Sequence, residues 1–177
     1  MIETERLILR RWRDADRAPY AELMADAAVA SWLGGVLTRP DADARIDRSE
    51  AAFESHGIGR FALERRADGC FLGYCGLLPI HESLPVFPGV EIGWALAQHA
   101  WGHGYAVEAA RAALADGFAR LKPKEVLAYT TVGNERSQAV MRRLGLRRAE
   151  ARDFDHPLFE PSHPLCRHLV YVADRPD

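Results

Sequence analysis

The sequence predicts an α+β fold, a mixed, mostly antiparallel twisted sheet with helices packed against it. Two observations carry this. Residues 59–66 and 70–79 read as strands joined by Ala67-Asp68-Gly69, a tight-turn signal, so an antiparallel hairpin sits near the middle of the chain. The helical segments fall two before that hairpin and one after each of two later strands. That is not the strict strand–helix alternation of a doubly wound parallel sheet. The 177 residues are 48% hydrophobic and 27% charged, which is enough apolar material for one core, and a single domain over 1–177 is expected.

Each element has its own local reason. Residues 7–12 begin Leu-Ile-Leu and form the first strand. Asp14 or Asp16 caps a helix running to about residue 27, with Pro19 tolerated in its first turn, and Trp32-Leu33-Gly34-Gly35 breaks it. A second helix spans 41–55 and ends at His56-Gly57, a glycine C-cap. After the hairpin, a loop over 85–89 leads to a strand at 90–96. Val107, Ala110, Leu114, Phe118 and Leu121 recur at three-to-four spacing and mark one apolar helix face, and Pro123 ends that helix. Residues 126–132 are β-branched and aromatic, as a strand requires. Asn134 opens a short helix that stops at Leu144-Gly145-Leu146. Segments 147–152 and 169–172 are the last strands, separated by a loop over 155–168 rich in Pro and His. The total is about seven strands and about four helices.

Composition narrows the function. A net charge of -2 supplies no basic field for nucleic acid. No apolar run approaches the ~20 residues that span a bilayer, so no membrane partner is expected. The charged N-terminus lacks the apolar core of a signal peptide, and the expected location is cytoplasmic. Cys70, Cys75 and Cys166 have neither zinc nor redox spacing and read as free thiols. His99 and His103 lack the glutamate of a zinc-binding helix motif, and no metal is expected.

The chemistry concentrates between strand 90–96 and the helix after it. In Trp101-Gly102-His103-Gly104-Tyr105-Ala106, two glycines let the backbone turn tightly and approach a ligand. The unpaired first amides of the helix and its dipole then form a cradle for a diphosphate. The loop has no lysine, so it is not a Walker loop, and Val107 takes the place of the third glycine of a dinucleotide fingerprint. A diphosphate held by backbone amides alone suits coenzyme A. On the strand, alternation puts Val90, Ile92, Trp94 and Leu96 on one face and Glu91, Gly93 and Ala95 on the other. The small pair leaves room for an extended ligand arm, or lets the strand pack closely under a helix.

Glu91-Ile92-Gly93-Trp94, the run from Trp101 to Ala109, and Asn134-Glu135-Arg136-Ser137 closing at Leu144-Gly145-Leu146 together resemble the GNAT N-acetyltransferase superfamily. The opening Glu3-Thr4-Glu5-Arg6-Leu7-Ile8-Leu9-Arg10 and the tail His156-Pro157 with His168-Leu169-Val170-Tyr171 resemble its RimJ/RimL-like branch of ribosomal-protein alanine acetyltransferases. The resemblance covers nearly the whole chain. It implies a GNAT-type fold whose fourth and fifth strands, here 90–96 and 126–132, splay apart around acetyl-CoA. The pyrophosphate would lie on the amides of Gly102, His103, Gly104, Tyr105 and Ala106. The pantetheine would run along Ile92, Gly93, Trp94, Ala95 and Leu96. Trp101 and Tyr105 would flank the cofactor or pack in the core. The family's Arg or Gln at the start of the phosphate loop falls at His99.

The resemblance also assigns roles. Glu91 is the candidate base for the attacking amine, the other reading being a surface glutamate on a strand end. An N–H near Gly93 or Trp94 would meet the carbonyl oxygen. Many members protonate the leaving thiolate from a Tyr on the last helix, but residues 135–144 contain none, and Ser137 is the candidate substitute. Its alternative is a first-turn serine bonded to the helix backbone. Asn134 is an N-cap and a candidate pantetheine contact. The acceptor is a protein N-terminus or a small amine. It would meet loops 29–40, 80–88 and 153–166, which carry Trp32, Phe87, Phe154 and Phe159. With their acids Glu82, Asp153, Asp155 and Glu160 these loops would suit a cationic amine, or are hydrophobic anchors and solvated charges. His156, His163 and His168 face solvent or line that site, Tyr74 and Tyr129 belong to the strand core, and a homodimer is an analogy from the family. The rival readings are a non-catalytic acyl-CoA sensor and a nucleotide-dependent oxidoreductase.

Overall fold

The computed structural model of the protein describes residues 1–176. In chain order the elements are β1 (Ile2–Glu3), β2 (Leu7–Arg10), α1 (Arg17–Ala25), α2 (Ala27–Ala30), α3 (Arg39–His56), β3 (Arg60–Arg65), β4 (Phe71–Pro79) and β5 (Val90–Leu96). They continue with α4 (Tyr105–Leu121), β6 (Glu125–Thr131), α5 (Glu135–Arg143), β7 (Arg147–Arg148), β8 (Phe154–Asp155) and β9 (Arg167–Asp174). One sheet runs β1-β2-β3-β4-β5-β6-β9-β7, with β8 also on β9, and every pairing is antiparallel except β5 with β6.

The α+β expectation holds, and the differences are local. The helix expected to run to about residue 27 breaks at Asp26, whose extended backbone (φ -72°, ψ 113°) lets its side chain accept from the Ala28 N–H and start α2. Helix α3 begins at Arg39, two residues before the expected start, because Thr38 accepts from the Asp41 N–H and Pro40 fits the first turn. The strand expected over 147–152 shrinks to β7, since Glu150–Arg152 closes a 3₁₀ turn. The short pairings β1 and β8 carry no sequence period, and they raise the sheet to nine strands.

The two faces of the sheet have different coverings. Ile92 and Leu96 of β5 join Leu7, Leu63, Leu77 and Cys75 under α4, and Met141 of α5 completes that core. On the other face Tyr74 and Ala95 pack against Tyr20, Leu23, Met24 and Ile46 of α1 and α3. A third cluster, including Leu127, Val170, Val172 and Phe154, fills the β6–β9 half.

What positions the site is the β5–β6 junction. All of β5 pairs with β4 and all of β6 pairs with β9, yet β5 and β6 share a single registered pair, Glu91 with Leu127. The two halves touch there and diverge toward Leu96 and Thr131.

Candidate active site

The divergence opens a cleft of about 1430 Å³. The stretch Glu91–Leu96 forms one wall, Tyr129, Thr130 and Thr131 the other, and the N-termini of α4 and α5 close one end. At the α4 end, Gly102 and Gly104 take left-handed φ values of 80° and 81°, which a residue with a Cβ adopts only under strain. The first amide of α4 bonded inside the helix is Glu108, 3.1 Å from the Gly104 carbonyl. The N–H groups of Tyr105, Ala106 and Val107 therefore have no helical acceptor and carry the positive end of the dipole. Trp101 spans the loop. Its indole donates to the Leu96 carbonyl at 2.7 Å, and the Arg136 guanidinium stacks 4.1 Å from its ring.

These features fit coenzyme A. The loop offers amides and no side-chain obstruction, and a Cβ built on Gly102 meets nothing within 4 Å. Across the cleft the Thr131 hydroxyl is buried with no partner among the described residues, an unmet polar group on the wall where a pantetheine amide would pass.

Glu91 is not a surface residue. Its carboxylate accepts from Arg60 at 2.7 Å, and its side chain is 12% exposed. Burial pushes its pKa above the ordinary carboxylate value, and the neighbouring Arg60 cation only partly offsets this. Arg60 reaches it because of glycines. In register Arg60 faces Gly76 and Gly76 faces Gly93, so three adjacent strands place a side chain over two bare backbones. A Cβ on Gly93 would sit 3.1 Å from the Arg60 guanidinium, and one on Gly76 would sit 2.2 Å from the Gly59 carbonyl. Of the two expected uses of the small face of β5, close packing beneath helices describes it and room for a ligand arm does not. The space beside Gly93 holds Arg60, and Ala95 is buried beside Tyr74, so that face admits side chains of this protein.

Ser137 and Asn134 also lie on the cleft wall. Asn134 Oδ1 accepts from the Ser137 N–H at 3.2 Å, so Asn134 is the N-cap of α5. The Ser137 hydroxyl makes no hydrogen bond among the described residues and is free to face the cleft. Trp101, Gly102, Gly104, Tyr105 and Ala106 line the cleft, whereas the His103 side chain does not. Its ring is exposed and lies 5.6 Å from Tyr105, and its carbonyl accepts from Arg6 at 2.9 Å. His99 is likewise exposed, with Cys70 Sγ at 3.9 Å.

On the acceptor side, several expectations change. Trp32, Phe159 and Glu82 line the cleft; Phe87 is exposed away from it. Phe154 is buried, the Asp153 carboxylate is bound to Arg148 and Asp155 pairs with Arg167. Of the loop acids only Glu82 faces the cleft, so the expected acidic lining for a cationic amine is absent. His156 and His168 are not solvated side chains. Their rings lie 5.2 Å apart, His168 stacks on Phe154, and both line the cleft. Burial lowers the pKa of each, with His168 also depressing His156, so both are neutral near pH 7. Tyr74 and Tyr129 line the cleft as well as packing in the cores.

A sheet that parts beside a glycine-rich turn with free helix amides, with a buried carboxylate at the vertex, has the form of a coenzyme-dependent group transferase. Residues 6–147 match the model of the acetyltransferase (GNAT) domain, so the chain belongs to the GNAT acetyltransferase family and is an acetyl-CoA-dependent acetyltransferase. It is 30% identical to the Bacillus subtilis (strain 168) protein YkkB over 146 residues, 82% of this chain and 84% of that one. It is 28% identical to YnaD of the same organism, described as an uncharacterized N-acetyltransferase, over 83% of this chain and 82% of that one. Among solved structures, the acetyltransferase from Agrobacterium tumefaciens str. C58 superposes with a TM-score of 0.79 at 30% identity, covering 97% of this chain and 92% of that one. Among the described residues no helix is long and apolar enough to cross a membrane.

Proposed function

We propose that the protein, as a single N-acetyltransferase domain over 1–177, transfers an acetyl group from acetyl-CoA to a primary amine by direct attack in a ternary complex. The observation that carries this reading is Glu91, a buried carboxylate with a raised pKa at the vertex of the cleft. Bound acetyl-CoA supplies the thioester carbonyl as electrophile. The amides of Gly102 to Ala106 hold its pyrophosphate, and the unpaired edge of β5 beyond Glu91 offers backbone groups to its pantetheine.

Glu91 takes the proton from the incoming ammonium, whose pKa near ~10.4 otherwise keeps the nitrogen lone pair occupied. As the N–C bond forms, a backbone N–H near Gly93 or Trp94 donates to the carbonyl oxygen. As the C–S bond breaks, the Ser137 hydroxyl donates a hydrogen bond to the departing thiolate, which takes up the proton that the newly acylated nitrogen sheds, a role supported by the freedom of Ser137 from other hydrogen bonds. The terminal motifs support placement in the RimJ/RimL-like branch, with a protein N-terminus or a small amine as acceptor.

Calorimetric titration with acetyl-CoA, CoA and NADH tests the cofactor. Saturable binding of both coenzyme A forms and none of NADH is expected; the reverse pattern would support an oxidoreductase. Glu91→Gln should leave acetyl-CoA affinity unchanged while lowering kcat by roughly 10²-fold or more. Unchanged turnover in that variant would remove Glu91 from the chemistry. Cofactor binding with no amine acetylated by the wild type would favour the sensor reading.

A further inference from the structure

Helix α3 divides its charges by face. Asp43, Asp47, Glu50 and Glu54 recur at i, i+4, i+7 and i+11 and form one stripe. Each is bound by an arginine from outside that stripe: Arg17 bridges Asp43 and Asp47, Arg39 takes Asp43, and Arg11 spans Glu50 and Glu54. The helix's Arg45 and Arg48 lie on another side, line the cleft, and form no ion pair among the described residues. Tyr20 packs in one cluster with Ile46, which lies between them on α3, and lines the same cleft as Arg45, Arg48 and Arg60. Burial raises the pKa of its phenol, and the three cations act in the opposite sense. Tyr20 in turn lies 6.0 Å from Tyr74, over which Arg60 sits at 5.3 Å. Arg60 gives one N–H to Glu91 and keeps a buried Nε with no partner among the described residues.

The rest of the lining does not neutralise this cluster. Among the described residues Arg45, Arg48, Arg60, Arg136 and Arg143 face the cleft against Glu82 and Glu91 alone, and Glu91 is already paired. Cations in a partly desolvated cleft attract an anion more strongly than the same cations in bulk water. A guanidinium presents paired N–H donors that match a carboxylate or phosphate.

We propose that the end of the cleft formed by Arg45, Arg48 and Arg60 around Tyr20 binds an anionic group, a carboxylate or a phosphate, carried by the acceptor amine. This rests on the amine-acetylation reading above and selects acceptors within it. The amine is directed to Glu91 because its own anionic group is held on the far side of Arg60. A polycationic acceptor is disfavoured by the same charges.

The test compares matched pairs that differ in the anion: phenylalanine with phenethylamine, and O-phosphoethanolamine with ethanolamine, each with saturating acetyl-CoA. The anionic member of at least one pair should have the higher kcat/KM by roughly tenfold or more, and which pair shows it distinguishes carboxylate from phosphate. The Arg45→Gln/Arg48→Gln double variant should raise KM for that anionic substrate by a similar factor. It should leave kcat, acetyl-CoA affinity and thermal midpoint unchanged, since neither side chain holds another element. Equal rates within both pairs, a preference for the neutral amines, or a preference that survives the double variant would overturn the proposal.

A second measurement is independent of turnover. N-acetylphenylalanine and N-phenethylacetamide are titrated calorimetrically into the CoA-loaded protein. Tighter binding of the acid, lost in the double variant, supports the anion site even where none of the four amines is acetylated, an outcome that counts against the transferase reading alone. Equal binding of the two amides, together with equal binding of N-acetyl-O-phosphoethanolamine and N-acetylethanolamine, counts against the anion site whatever the turnover.

Discussion

At the scale of single residues, the Arg60–Glu91 pair makes a prediction with a definite sign. In its proposed role as base, Glu91 must be ionised. Burial raises its pKa and the Arg60 cation holds it down, so removing that cation raises it further. Arg60→Met should therefore shift the acidic limb of the kcat/KM profile to higher pH while acetyl-CoA affinity holds; a limb that stays in place or moves to lower pH refutes the assignment. Glu91 itself was legible as a candidate from its place in the strand motif. Arg60 was not, because nothing in the order of residues shows that two glycines on neighbouring strands clear a path for its side chain. Thr131 was missed as a cleft residue, and His168 was left between solvent and the acceptor site, for a related reason. They are partners across the β6–β9 ladder, 37 positions apart in sequence, and only that pairing brings them to one wall.

At the scale of elements, the glycine loop and the glycine row test different things. Gly104→Ala forces a side chain into φ 81° at the start of α4, a strain of about 1 kcal/mol, without filling the cradle. Its expected effect is weaker acetyl-CoA binding with a melting temperature lowered by only about 2–4 °C. Calorimetry and a thermal scan on the same variant check this, and undiminished affinity would remove Gly104 from the cradle. Gly76→Ala places a Cβ 2.2 Å from the Gly59 carbonyl and 2.7 Å from the Arg60 Cα, both rigid strand backbone. It should destabilise the fold by roughly 1–3 kcal/mol or more through strand displacement, seen as a lower denaturant midpoint. Gly102 and Gly104 stood out in sequence because they precede a strongly periodic helix. Gly76 did not, since a glycine inside an apolar strand has no local signature of the strand beside it.

At the scale of the whole molecule, the β2–β3 half is tied to the segment before α1 by a buried ionic network. Arg10 donates to both oxygens of Asp16 at 2.6 and 2.8 Å and to Glu64 at 2.7 Å, and Asp16 also accepts from the Arg13 N–H at 2.8 Å. Burial pushes the Asp16 pKa up, but Arg10 and Arg13 outweigh it and hold it below the ordinary value. A carboxylate with a depressed folded pKa stabilises the fold above its unfolded pKa, and that stability is lost as pH falls through the folded value. Stability should therefore decline in acid below about pH 4. Asp16→Asn should cost about 3 kcal/mol at neutral pH and flatten the acid dependence. Denaturant midpoints measured across pH check both, and an Asp16→Asn protein with the wild-type acid slope would exclude Asp16 as its source.

The sequence by itself determined the α+β class, the hairpin, strand 90–96, the α4 face and the positions of the cradle glycines, Asn134 and Gly145. Each is a local property, fixed by side-chain period, capping chemistry or a residue's allowed φ. Only the tertiary structure decided that β5 and β6 meet at one pair, that Arg60 closes on Glu91, that Asp153 and Asp155 turn to arginines, and that Arg45 and Arg48 face the cleft with no ion pair among the described residues. Those outcomes depend on which distant strands pair, in which register, and on which partners burial leaves within reach.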